Sequence, residues 1–208
     1  MNKPFQKIVM STLAAAAVMA TLSACAPLMV GGAVMTGMVA VDRRTSGMQL
    51  EDESIELRTA QGMRQNLRDN AHVNVTSYNR QVLLTGEVST AADKEKANKI
   101  AQSQENVKAV ANELTVQPVS SLTQRSKDTI ISGQIKALFV DAKDLQSNAF
   151  KVVTESGVVY LMGRVTSREA QRATDIARSI NGVTKVVRVL DIISEEELKR
   201  LSAQTSAK

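Results

Sequence analysis

Two side chains in this sequence invite a chemical reading: its one histidine, His72, and its one cysteine, Cys25. Together they do not make a zinc centre, which takes about four ligands in a structural site, so no metal site is expected. No Ser–His–acid arrangement is available in residues 118–193, which contain no histidine. Gly86 and Gly163 fall inside strand patterns, where glycine marks a bulge or a close backbone approach. No phosphate-cradling loop or dinucleotide fingerprint occurs. Paired carboxylates are confined to solvated helix starts, Glu51-Asp52-Glu53 and Glu195 to Glu197. The chain therefore reads as no enzyme, with no catalytic residue and no cofactor.

Cys25 has a different chemistry. Lys3 and Lys7 precede an apolar run from Ile8 to Thr21, and Leu22-Ser23-Ala24-Cys25 follows it. This is the layout of a secretion signal. The tetrapeptide resembles the lipobox of bacterial lipoproteins, which implies cleavage of residues 1–24 and acylation of Cys25. The other reading is a free thiol, but a lone exported cysteine has no disulfide partner. Each buried methylene contributes about 0.8 kcal/mol, and two or more acyl chains hold stably. Ala26, rather than an aspartate, follows the cysteine, and the lipoprotein sorting rule then implies the outer membrane. Residues 26–41 are sixteen apolar or small residues with three glycines and a proline. A spanning helix needs about 20, so residues 25–50 read as a lipidated start and a flexible tether.

Removal of residues 1–24 leaves 184 residues, enough for one ordinary domain or two small ones. With three Phe, two Tyr and no Trp, the cores must be aliphatic, and a stacking platform for bases is poorly supplied. No nucleic-acid partner is expected. Charge is uneven: residues 51–117 carry a net −2 and residues 118–193 a net +4. An anionic surface would attract the second half.

The remainder is an internal duplication. Val82-Leu83-Leu84-Thr85-Gly86-Glu87-Val88 returns as Val159-Tyr160-Leu161-Met162-Gly163-Arg164-Val165 at an offset of 77. Ala97, Ile100, Ala101, Val107, Val110 and Leu114 return at an offset of 76, and upstream Gly62 and Leu67 pair with Gly133 and Leu138 at 71. Each copy predicts a helix, two strands, a helix and a strand. Ile131, Ile135, Leu138 and Phe139 form one apolar helical stripe. The strands run over 73–77 and 81–88, then 150–155 and 158–165, joined by turns at Tyr78-Asn79-Arg80 and Ser156-Gly157. Thr166-Ser167-Arg168-Glu169 has capping-box spacing, and Asn181-Gly182 suits a helix end. The last strands are expected over 107–116 and 183–193. Val186, Leu190 and Ile192 share one face there, matched by Val110, Leu114 and Val116. The helix between the second and third strands is a crossover, so these strands can run parallel. The fold class is α+β: two tandem αββαβ domains, 51–117 and 122–193, each a three-stranded mixed sheet with two helices on one face. Residues 194–208 form a short helix and a frayed tail.

The V-x-L-x-G-x-V strands, doubled behind a lipobox, resemble the dual-BON-domain lipoproteins of proteobacterial outer membranes. The resemblance implies BON-type domains and a non-enzymatic, periplasm-facing lipoprotein that maintains envelope integrity. It also implies binding of anionic phospholipid through the first helix of the second domain, and association with outer-membrane assembly machinery or division-site proteins. That helix carries Arg125, Thr129, Ile130 and Lys136, with Lys143 just beyond, as the lipid-binding set. In related chains a tryptophan can stand where this one has Ile130. Read by themselves, the residues agree on placement: at 100° per residue Ile130 lies about 125° from the centre of the buried stripe. An off-core isoleucine on a basic helix suits a shallow interfacial contact; packing of Ile130 on the first domain or the tether is the alternative. An adaptor that docks proteins on its sheet edges, or a host-facing surface lipoprotein, are the competing functions.

Overall fold

The first repeat runs through α1 (Ser46–Asn66), β1 (His72–Tyr78), β2 (Gln81–Val88), α2 (Ala91–Gln102), β3 (Ala109–Asn112) and β4 (Thr115–Val116). The second runs through α3 (Leu122–Asp141), a short 3-10 turn, β5 (Phe150–Glu155), β6 (Val158–Thr166), α4 (Ser167–Arg178) and β7 (Lys185–Ile193), and α5 (Glu195–Ser206) follows. The computed structural model describes residues 42–67 and 70–206, all within one unit that begins at Ala40. Cys25 and the segment expected as a tether up to residue 41 lie outside the described residues.

In both repeats the central strand pairs antiparallel with the first strand and parallel with the last. This is the expected mixed sheet. The third strand of the first repeat is broken in two, although one ladder was expected over 107–116. Asn112 breaks it: its side chain accepts the Leu114 N–H and donates to Lys94 O, a local turn that competes with the ladder. The V-x-L-x-G-x-V residues face the helices. Val82, Leu84 and Val88 lie in the first core, and Val159, Leu161 and Val165 in the second. A β-carbon at Gly86 would lie 2.0 Å from His72 O, and one at Gly163 2.3 Å from Ala149 O. Close backbone approach is therefore the reason for both glycines.

The opening helices bury Asp52, Ile55, Thr59 and Met63, and Asp128, Ile131, Ile135 and Phe139. The spacing is identical and the offset is 76, which corrects the upstream pairing at 71. Gly62 packs on Ile100 while Gly133 faces open space, so those glycines are not equivalent. Leu138 is also corrected: it is 38% exposed, and the fourth buried position is Asp128, one turn upstream. Asp52 accepts the Asn79 and Arg80 N–H groups, both at 2.8 Å, and Asp128 accepts those of Ser156 and Gly157, both at 2.9 Å. All four residues have positive φ, so each turn is of the tight hairpin kind. The buried carboxylate satisfies the donors that such a turn exposes.

The helix-free faces of the two sheets pack on each other. Tyr78, Leu83 and Ala111 of the first meet Val153, Tyr160, Met162, Val187 and Val189 of the second. The order of layers is helices, sheet, sheet, helices. Both tyrosines sit in this seam, and burial pushes both hydroxyls up to about 12. Polar links cross its margins: Asn74 to Glu155 at 2.8 Å, Lys151 to Glu56 at 2.6 Å, and Asn79 to Asp191 at 3.1 Å. Ile192 and Val116, expected on the core face, are about half exposed.

Residues Asp42 to Leu50, expected as the end of the tether, are structured instead. Arg43 makes a buried two-pronged pair with Glu169, at 2.7 and 2.9 Å, and donates to Arg164 O. Arg44 pairs with Asp42 and Asp52 at 2.7 Å each and lies 4.2 Å over the Tyr78 ring. Adjacent arginines thus hold opposite domains. Glu169 also completes the expected capping box with Thr166. Burial alone would raise its carboxyl, but Arg43 and the Thr166 N–H hold it below the ordinary range.

Two predictions follow from this packing. Replacing Asp128 by Ala leaves two turn donors unsatisfied and should cost about 2–4 kcal/mol in chemical denaturation, with Asp128→Asn losing less. Replacing Arg43 by Ala strands a buried carboxylate and should cost about 3 kcal/mol near neutral pH. The contribution of Glu169 is full above its unfolded pKa of about 4.3 and is lost as pH falls through its lower folded value. The gap between Arg43→Ala and the parent should therefore narrow in acid.

Candidate functional site

Helix α3 turns Asp128, Ile131, Ile135 and Phe139 inward, which fixes what the opposite side presents. Leu122 and Val140 are 18 residues apart, or about five turns, and so lie on one line. They are 74% and 71% exposed, and Ile130 beside them is 61% exposed. Ile130 is thus not packed on the first domain. Ser126, Gly133 and Ala137 fill the strip between the three apolar residues, and all are exposed. A β-carbon at Gly133 would meet nothing within 4 Å.

The expected polar set is spread along this helix rather than gathered. Arg125 is half-buried, with its Nε enclosed and unpartnered. Lys136 stands on the same flank, three turns or about 16 Å further along. Lys143 is exposed just past the helix end. Thr129 is exposed, and its hydroxyl donates back to Arg125 O at 3.0 Å. Among the described residues, Arg125, Lys127, Lys136 and Lys143 form no ion pair, while Lys151, Arg164, Arg168 and Arg172 in the same domain all do. Lys136 also lines a shallow groove with Arg44, Tyr78, Phe139, Val140 and Lys151.

Helix α1 lacks this combination. It exposes Leu50 and Leu57, but it carries four acidic residues against two arginines. Sequence reasoning found Ile130 and missed Leu122 and Val140. Their 18-residue spacing was the available signal. It also missed Glu87 and Glu155, which stand beside His72 in the fold, because counting only His and Cys ligands leaves carboxylates out.

Two αββαβ repeats packed sheet to sheet define the class. The BON domain model matches residues 51–118 and 127–194, and the chain belongs to the dual-BON-domain outer-membrane lipoproteins. It is 39% identical over 171 residues to the outer membrane lipoprotein DolP of Haemophilus influenzae, covering 81% of this chain and 88% of that one. It is 33% identical over 155 residues to a 21 kDa hemolysin of Actinobacillus pleuropneumoniae, covering 74% and 80%. The osmotically-inducible protein Y of Escherichia coli is 33% identical over 117 residues, covering 55% and 58%. No described helix is long and apolar enough to cross a membrane.

The two kinds of glycine separate packing from surface. Gly133→Ala should stabilise the protein by up to about 1 kcal/mol, the helix-propensity difference. Gly163→Ala should destabilise it by about 1–3 kcal/mol through overpacking. Thermal unfolding of the two variants checks both signs.

Proposed function

We propose that the protein is held in the outer membrane by acylated Cys25, faces the periplasm, and lays the outer side of α3 against anionic phospholipid to maintain envelope integrity. One observation carries this reading: α3 combines an exposed apolar line with basic side chains that no carboxylate neutralises. Exposed apolar surface gains by entering the headgroup boundary, and unpaired cations gain about 1 kcal/mol each near an anionic leaflet. The DolP relative is named as an outer membrane lipoprotein, which supports the location. The contact need not be strong, since an acyl anchor keeps the helix at high effective concentration near the bilayer.

Residues 26–208 should bind anionic vesicles in preference to zwitterionic ones, and salt should weaken the binding. Lys136→Glu should lower affinity roughly 10- to 30-fold, and Ile130→Asp by at least about tenfold, with thermal stability unchanged. Equal binding to both vesicle types would contradict the reading. In cells, exported Cys25→Ser should remain folded but fail to restore envelope integrity.

A further inference from the structure

The two ends of the sheet–sheet seam are related by the repeat but differ in chemistry. The offset of 77 carries His72, Tyr78 and Glu87 onto Ala149, Glu155 and Arg164. At the Arg164 end, the chain supplies its own cations: Arg43 donates to Arg164 O, and Arg44 covers Tyr78. At the other end, Glu87 and Glu155 come together with His72. The donor atoms of these three residues all lie within 4.8 Å of one another. No Lys or Arg is bonded to either carboxylate among the described residues.

The geometry of this end is already organised. His72 and Glu87 are cross-strand partners, and His72 Nδ1 lies 3.2 Å from Glu87 Oε2. Bonds of about 2.05 Å around a tetrahedral zinc put neighbouring ligand atoms about 3.3 Å apart. Glu87 is wholly buried, and its Oε1 has no hydrogen-bond partner. Asn74 donates to Glu155 Oε2 at 2.8 Å and orients that carboxylate. Gly86 lets the His72 backbone come close. His72 itself is partly exposed, which leaves a way in from solvent.

We infer that His72, Glu87 and Glu155 form a binding site for a divalent transition-metal ion that joins the two domains. An imidazole with two carboxylates suits zinc, and disfavours calcium and magnesium, which take all-oxygen shells. The ion would neutralise two carboxylates that no side-chain cation reaches. Its fourth position would be left to water. Because Glu155 belongs to the second domain and the other two ligands to the first, binding would tie the domains at the end that Arg43 and Arg44 do not reach.

The test is calorimetric titration of the acylated mature protein, residues 25–208, in detergent, stripped with EDTA, with zinc, calcium and magnesium chlorides in turn. One zinc per chain should bind, raising the unfolding temperature as its concentration rises, while calcium and magnesium should do neither. His72→Gln and Glu155→Gln should each weaken zinc about 100-fold or more while keeping the parent circular dichroism. In the unaltered protein, the ring nitrogens of the one histidine should shift on adding one equivalent, a readout that needs no variant to fold. The inference is overturned if no zinc binds, if binding is unchanged in both variants, or if the His72 ring signals stay in place.

Discussion

The structure depends on a three-stranded sheet that its own helices cover on one side only. Two helices pack on each sheet, and the other face would be left to water. The second repeat covers it. This is why β2 and β6 are buried along both faces, and why the two tyrosines lie in one seam rather than in separate cores. A chain with so few aromatics gains much of its interior by stacking two small units instead of enlarging one.

Mutual burial also decides which surfaces remain for function. With the sheet faces used up, the outer sides of the helices are what the molecule presents. The strap at Asp42–Arg44 then ties both domains at the start of the described chain. Lys151, Arg164, Arg168 and Arg172 of the second domain are spent on ion pairs, while the basic residues on α3 are not. Unpaired cations beside the exposed Leu122, Ile130 and Val140, more than the net charge, single out that helix.

Much of this was legible in the sequence. The strand signature located β2 and β6, because alternation and glycine placement are local, and the helix after each gave the parallel crossover. Thr166 and Glu169 declared their capping box by spacing alone. What stayed hidden depended on distant partners. Asp52 read as part of a solvated helix start, yet it is buried beneath the Asn79-Arg80 turn that it caps, and Asp128 takes the same place in the second repeat. Leu138 fitted the apolar stripe by period, yet it is 38% exposed while Phe139 next to it is buried. Arg43 looked like the end of a tether, since its carboxylate is 126 residues away. His72 looked solitary because one of its neighbours belongs to the other repeat.

The most direct measurement is paramagnetic broadening of backbone amide signals by spin-labelled anionic lipid. The account predicts that Leu122, Ile130 and Val140 broaden first, with the seam residues Tyr160 and Met162 untouched. Broadening centred on α1, or spreading into the seam, would contradict it: the first would put the contact on the wrong domain, and the second would mean that the two sheets part at the membrane.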